Sequence, residues 1–143
     1  MIADGGAALR ILGEGVEAAC ARAGRAGVDA AWIAGLREAT ADVGALTMEL
    51  AGRGLAGDPE GMMRHSADYL DLFSTLVVAW MWMLQAAAAN EALAAGRGAP
   101  DMLQGKLTAA RYWLRSELPR IGPLVAACRE GEDSFERARP EWF

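Results

Sequence analysis

Side chains that could perform acid–base or metal chemistry are sparse in this sequence. General acid–base catalysis needs a positioned ionisable group, and His65 is the single histidine. It stands four residues before Tyr69, at the edge of an apolar helical stripe, which is more typical of a structural histidine. Cys20 and Cys128 have no CxxC neighbour and no ligand cluster at metal spacing. The sequence therefore predicts no catalytic residue and no metal site.

Sequence motifs for nucleotide or nucleophile chemistry are also missing. There is no Gly-x-Ser-x-Gly and no phosphate loop, and Gly13-Glu-Gly15 lacks the strand and third glycine of a dinucleotide fingerprint. Several carboxylates fall on predicted helix surfaces, where a solvated face is the usual explanation: Glu49, Glu60, Asp68, Asp71 and Glu91. We predict no cofactor-binding residue in this chain.

A basic stripe is the first feature that could bind a partner. Gln104, Thr108, Arg111 and Arg115 recur at spacings of four, three and four, which places them on one helix face, with Lys106 and Arg120 beside it. A solvated surface is the common explanation for such charges. The functional alternative is contact with an anionic partner, for which Arg111 and Arg115 are the candidates.

A pair of tryptophans is the second such feature. At about 100° per residue, Trp80 and Trp82 point roughly 200° apart and cannot both face one core. If Trp80 is inside, Trp82 shares a face with Asp71, Thr75 and Gln85. Covering an exposed indole of ~200 Å² would contribute several kcal/mol at ~25 cal/mol per Å². Trp82 therefore either docks on a partner or is buried between helices.

The hydrophobic periodicity predicts four helices. The first runs from about Asp4, its N-cap, to Ala23, and the second starts at Asp29 and ends at the glycines from Gly52 onward. The third spans about 59–95, with Asp58-Pro59 as cap and first-turn proline. The fourth begins at Asp101, continues past Val125 and is kinked at Pro119.

Short joints between these segments imply antiparallel neighbours, so the predicted fold is an all-α, up-and-down four-helix bundle. Residues 1–143 form one domain, and the tail 132–143 is expected to be irregular, with Phe135 and Trp142 packing on the bundle or elsewhere. A chain with 53% hydrophobic residues is not a disordered tail.

Charge and apolar patterning limit the kinds of partner this chain can bind and the cell compartment that suits it. A net charge of -5 argues against nucleic acid binding. Leu72 to Leu84 is shorter than the ~20 apolar residues of a membrane span, so we expect a buried helix. No signal peptide is visible, and two isolated cysteines suit buried thiols in a reducing cytoplasm.

Two motifs near opposite ends of the chain carry a family resemblance. Lys106 to Pro119 reads Lys-Leu-Thr-Ala-Ala-Arg-Tyr-Trp-Leu-Arg-Ser-Glu-Leu-Pro, and Glu-Gly-Glu-Asp-Ser-Phe ends at Phe135. Near the start stands Asp4-Gly-Gly-Ala-Ala-Leu-Arg10. Together they resemble the C-terminal end of acyl-CoA dehydrogenases, in the branch with an extra helical domain after the flavin-binding core, like 3-methylmercaptopropionyl-CoA dehydrogenase.

The resemblance implies an accessory domain of an FAD-dependent dehydrogenase. In that family a glutamate removes the α-proton of the thioester while the flavin accepts a hydride, and both belong to the core. This chain would cover the core and shape the substrate entrance or oligomer contacts. Arg111 and Arg115 would meet an anionic surface of the core or the phosphate end of a CoA thioester, and Trp82 would meet the core or a second subunit.

Two other functions remain open from the residues alone. The chain could be a stand-alone helical protein that self-associates or binds a partner through its Trp and Met surfaces. It could also be a small bundle enzyme with its own cavity, although it lacks a catalytic cluster. Bound flavin in this chain is expected by none of these.

Overall fold

The regular elements of residues 6–143, which this computed structural model describes, are all helical. Seven α-helices follow in chain order: α1 (Ala7–Arg25), α2 (Ala30–Leu55), α3 (Pro59–Met63), α4 (Ser66–Ala94), α5 (Pro100–Tyr112), α6 (Ile121–Glu130) and α7 (Ser134–Arg137). The predicted all-α bundle is confirmed. The predicted cap Asp4 and the Asp4-Gly5 step of the N-terminal motif lie outside the described residues.

The core is centred on α4, which packs against α1, α2, α5 and α6. Its inward side chains are fully buried, and they meet inward residues of every neighbour. The largest fully buried side chains are Val16, Cys20, Leu36, Val43, Leu46, Leu72, Leu76, Met83, Ile121 and Cys128. The bundle therefore depends on one central helix rather than on four equivalent ones.

Aspartate caps start two of the helices where the sequence predicts them. The Asp29 carboxylate accepts the Ala31 backbone N–H at 2.8 Å, and the Asp58 carboxylate accepts that of Gly61 at 2.8 Å. Pro59 occupies the first helical turn, where its missing N–H costs no hydrogen bond.

The predicted continuous third helix over 59–95 is wrong, because the chain breaks between α3 and α4. His65 leaves helical geometry, with φ -107° and ψ 38°. The break is held by distant contacts: Arg64 donates to the Gly131 carbonyl at 3.2 Å and pairs with Glu136 at 3.0 Å. His65 Nε2 lies 3.2 Å from the Glu132 carbonyl. These partners are more than 60 residues away, so no local pattern predicts the break.

The kink predicted at Pro119 is in fact a change of helix type. After α5 the chain forms a π-helical segment, Trp113–Glu117, then a 3-10 turn, Leu118–Arg120, before α6 begins. Proline has no N–H to offer the carbonyl four residues back, here Arg115, and its ring crowds that carbonyl. The Leu118 N–H instead reaches five residues back to the Trp113 carbonyl. The widened turn is the local answer to Pro119.

The tail 132–143 is more ordered than predicted. It contains α7 and a 3-10 turn, Pro140–Trp142. Phe135 meets the His65 ring edge-to-face at 6.2 Å between ring centroids, although the Phe135 side chain remains largely exposed. The Arg139 guanidinium lies 6.0 Å from the centroid of the Trp142 ring.

A close helix approach explains one glycine of α1. A Cβ on Gly15 would lie 2.8 Å from a ring carbon of Trp80, closer than van der Waals contact allows. Gly13, one half-turn earlier, would meet nothing within 4 Å. Gly15 therefore lets α4 bring Trp80 against α1.

We predict opposite effects for alanine at these two glycines. Gly13→Ala should raise the free energy of unfolding by up to about 1 kcal/mol, through helix propensity alone. Gly15→Ala should lose that gain to overpacking against Trp80, at a cost of about 1–3 kcal/mol. Thermal and urea unfolding followed by circular dichroism would measure both, and equal stabilisation by the two substitutions would contradict the close approach.

Candidate functional site: a basic groove and an uncharged helix face

A polar groove of about 450 Å³ lies between the start of α2 and the α5–π segment. The α1–α2 loop and one residue of α4 complete it. We call it the basic groove, and its lining residues are Gly27, Val28, Asp29, Trp32, Asn90, Gln104, Leu107, Thr108, Arg111 and Arg115.

The stripe predicted from sequence is brought together in this groove. Gln104, Thr108, Arg111 and Arg115 all line it. The two flanking cations do not. Lys106 Nζ donates to Gln85 Oε1 at 2.7 Å, and Arg120 pairs with Glu117 at 2.8 Å.

Sequence reasoning missed three polar contributors to the groove: Asp29, Trp32 and Asn90. They come from the start of α2 and the end of α4. Only the folding of these helices against α5 brings them near the stripe, so no spacing within one helix could have indicated them.

The π-helical segment contributes to the position of Arg115. Arg111 belongs to the last regular turn of α5, whereas Arg115 sits within Trp113–Glu117. A π turn takes more residues than an α turn and re-aims the side chains along it. Both guanidinium-bearing residues nevertheless line one groove.

The charges of the basic groove are poorly neutralised. In residues 6–143, seven other arginines pair with carboxylates: Arg10, Arg22, Arg37, Arg64, Arg120, Arg129 and Arg137. Neither Arg111 nor Arg115 has an ion-pair partner within that stretch. Asp29 is the carboxylate in the lining, and its Oδ1 is engaged with the Ala31 N–H. Two guanidiniums thus face one carboxylate that already caps a helix.

An indole also contributes to the groove. Trp32 packs partly buried against the core, and its Nε1 is buried without a hydrogen-bond partner among the described residues. Buried donors are usually paired, so an orphaned one is uncommon. The Trp80 indole nitrogen is also buried without a hydrogen-bond partner among the described residues.

Trp82 is half-buried and packs against the core on the α5 side of α4. Lys106 Nζ lies 5.8 Å from the centroid of the Trp82 ring while it donates to Gln85. Trp113 Nε1 donates to the Thr75 carbonyl on the same side, at 3.4 Å. The face that carries Trp82 is therefore covered by α5 and the π segment, which favours burial between helices over docking.

The opposite side of α4 is partly exposed and carries no charge. Helix geometry of ~100° per residue turns six residues away from the buried Leu72 and Met83. We call them the outer face: Leu70, Ser74, Val77, Met81, Leu84 and Ala88. Leu70 is 66% exposed and Met81 38% exposed, whereas Val77 and Leu84 are half-buried. Residues 72–90 include no charged side chain, so the outer face is uncharged along its length.

Ionic contacts begin again where the outer face ends. Glu91 accepts two hydrogen bonds from Arg22 of α1, at 2.9 and 2.7 Å. The Arg22 guanidinium lowers the pKa of the Glu91 carboxyl below its usual value. This charged pair ties α1 to the end of α4, whereas the outer face itself has only uncharged side chains to offer a partner.

One helix of the described residues, Ser66–Ala94, is long and apolar enough to cross a membrane by length and composition alone, with 39% of its most apolar window buried. The apolar run from Leu72 to Leu84, which we predict to be a buried helix rather than a membrane span, lies inside this helix. Core helices of soluble proteins pass the same test, and four other helices pack on this one.

The residues considered for catalysis have structural contacts. His65 Nδ1 lies 3.0 Å from Asp68 Oδ2, and its Nε2 faces the tail. Cys20 and Cys128 are free and buried, and burial raises the pKa of both thiols. Within residues 6–143, no group of three or more His, Cys, Asp or Glu side chains could hold a metal ion.

Comparison with known protein families gives the chain its class. Residues 12–138 match the family described as "Acetyl-CoA dehydrogenase C-terminal like". Because the match spans most of the 143 residues, this chain belongs to that family and is a C-terminal domain of the acyl-CoA dehydrogenase type. Membership implies an oxidoreductase parent that binds FAD. No curated protein and no solved structure matches significantly.

The geometry predicts different effects for two neighbouring substitutions on α4. Trp82→Ala should lower the free energy of unfolding by about 2–3 kcal/mol, because a half-buried indole loses packing against the core. Met81→Ala, on the outer face, should change it by less than about 1 kcal/mol. Urea unfolding of the two variants would measure the contrast. A Trp82→Ala protein of unchanged stability would show that this indole is free to serve a partner.

Proposed function

We propose that this chain is an accessory domain that covers the flavin-binding core of an FAD-dependent acyl-CoA dehydrogenase. The chain itself contributes no catalytic residue and holds no cofactor; FAD, bound by the core, supplies the hydride acceptor. The observation that carries the proposal is the uncharged outer face of α4, which is the surface we assign to the contact with the core.

An uncharged, exposed helix face is costly to leave in water. The outer helices of the bundle carry charges on their solvent sides, such as Arg37 and Glu38 on α2 and Glu14 on α1. The outer face of α4 has none, and Leu70, Val77 and Met81 stand where a solvated helix would carry polar side chains. Contiguous exposed apolar surface of this kind typically marks an interaction site.

The size of this face favours a tethered partner. Leu70 to Ala88 spans 19 residues, or ~28 Å at 1.5 Å per residue. With a width of ~10 Å the face offers on the order of 300 Å² per partner, or ~600 Å² in all. That area is below the ~1,200 Å² of stable free complexes but reaches the range of contacts between domains of one chain. A tether supplies the effective concentration that so small a surface needs.

Covering the core would serve the reaction by limiting water. Hydride transfer to a flavin proceeds in a site that is closed to solvent, and a domain seated over the substrate entrance restricts access there. The α-proton abstraction and the hydride transfer of the parent belong to the core and its bound FAD. This domain excludes water from the reaction site and supports the core that holds it. We place the enzyme in the cytoplasm.

A second copy of the chain is the alternative occupant of the outer face. In an antiparallel pair about a two-fold axis, Leu70 would lie opposite Ala88 and Ser74 opposite Leu84, so that large side chains meet small ones. This pairing underlies the alternative function, a stand-alone self-associating protein. Trp82 lies between α4 and α5 and takes no part in this pairing.

The double substitution Val77→Glu with Met81→Glu tests whether the outer face docks on the core. Two carboxylates on an apolar contact would be desolvated without partners, so docking of the domain on the flavin-binding core to which it is linked should weaken at least about tenfold. Because so small a contact needs its tether, docking would be measured in the linked enzyme, as the rate of proteolytic cleavage in the segment that joins the domain to the core. Circular dichroism would confirm that helicity is retained.

The matched control is Ala45→Glu with Met48→Glu, which adds the same charge on the exposed side of α2. The control should bind the core as the wild type does. Equal loss in both variants would indicate general repulsion, and no loss in either would remove the outer face from the contact. A wild-type dimer that only Val77→Glu with Met81→Glu disperses would establish self-association instead.

A further inference from the structure

The basic groove opens on the side of the bundle opposite to the outer face of α4. Asn90 lies 18 residues, five full α turns, beyond Leu72 and so points in the same inward direction as that buried residue. The outer face points the opposite way. Covering the outer face therefore leaves the groove accessible, and the inference drawn from the groove does not rest on the docking proposed above.

The groove holds two cations in a protein that has carboxylates to spare. The sequence carries 19 acidic and 14 basic residues, and seven of its thirteen arginines pair with a carboxylate. Arg111 and Arg115 have no carboxylate partner within residues 6–143, and they are the two arginines that line one groove. Two guanidiniums that line one groove repel each other. An anion between them would convert that repulsion into two charge-assisted contacts.

The rest of the lining suits a small molecule with a polar end and a flatter body. The amides of Asn90 and Gln104 supply N–H donors beside the guanidiniums, whereas Leu107 and Trp32 supply apolar surface. The Thr108 hydroxyl donates to the Gln104 carbonyl at 3.0 Å, so it offers its lone pairs to a ligand donor. A volume of about 450 Å³ is within the range of small-molecule sites.

We propose that the basic groove binds a phosphate-bearing small molecule of nucleotide size, with its phosphate held by Arg111 and Arg115. A phosphate monoester carries ~1.5–2 negative charges at neutral pH, which matches two guanidiniums, whereas a carboxylate carries one. The planar fork of arginine fits phosphate oxygens in pairs. Asp29 sits at the α2 end of the groove, so the phosphate lies toward the α5 end and the remainder of the ligand over Trp32 and Leu107.

Calorimetric titration of the chain with AMP, and in parallel with diphosphate, acetate and adenosine, tests the assignment. AMP and diphosphate should bind, and raising the salt concentration should weaken both because the contact is ionic. Adenosine and acetate should bind at least about tenfold more weakly, since each lacks the dianionic group. Arg111→Gln with Arg115→Gln should weaken AMP binding at least about tenfold.

The matched control is Arg25→Gln with Arg97→Gln. Both arginines are exposed and the double variant removes the same two charges, but neither residue lines the groove. Its AMP affinity should stay within about twofold of the wild type, as should that of Val77→Glu with Met81→Glu. Equal weakening by both arginine pairs would overturn the proposal in favour of non-specific attraction. Acetate binding as tight as AMP, or no AMP binding at millimolar concentration, would overturn it as well.

Discussion

A helix that carries no charge over 19 residues has to be covered, and the architecture of this protein follows from that constraint. Residues 72–90 of α4 present apolar side chains in almost every direction, so α1, α2, α5 and α6 all pack on it. Two of its polar groups bond to other parts of the bundle: the Thr75 carbonyl accepts from Trp113, and the Tyr69 hydroxyl bonds to Thr47 at 2.8 Å. The Trp80 indole nitrogen has no hydrogen-bond partner among the described residues. Three sides are covered within the bundle, and the fourth is the outer face.

Features set by local sequence could be predicted, whereas features set by distant contacts could not. Asp29 and Asp58 cap helices because a carboxylate and a free N–H lie two or three residues apart, which the sequence displays directly. The break at His65 has no such local cause. It depends on Arg64 and His65 reaching residues 131–136, and neither proline nor glycine interrupts the helical pattern there. Pro119 predicted a kink in the fourth helix, but not that the chain would form a π turn there.

The candidate site likewise has a part that the sequence predicts and a part that only contacts between distant helices create. Periodicity was sufficient to place Gln104, Thr108, Arg111 and Arg115 on one side of a helix, since all four belong to one continuous segment. It could not supply Asn90 and Trp32, which other helices bring to the groove. The angle between Trp80 and Trp82 was predictable from helix geometry, and the indoles do pack toward different neighbours: Trp80 toward Gly15 of α1, Trp82 beneath Lys106 of α5. Only the close approach of Trp80 to α1 explains why residue 15 is a glycine.

The π turn at Trp113–Glu117 also bears on how this chain can change over evolution. A π turn is an α-helix that has accommodated one additional residue, so deleting a single residue there would restore regular α geometry upstream of Pro119. Because the widened turn absorbs that residue, its deletion would leave the helix beyond it in the same register, so Ile121, Val125 and Cys128 would still face the core. A deletion in the regular turns of α5 or α6 has no such turn to absorb it and would rotate everything that follows by ~100°. Single-residue deletions should therefore be tolerated within Trp113–Glu117 or in the joints 95–99 and 56–58, rather than in the regular turns of α5 and α6.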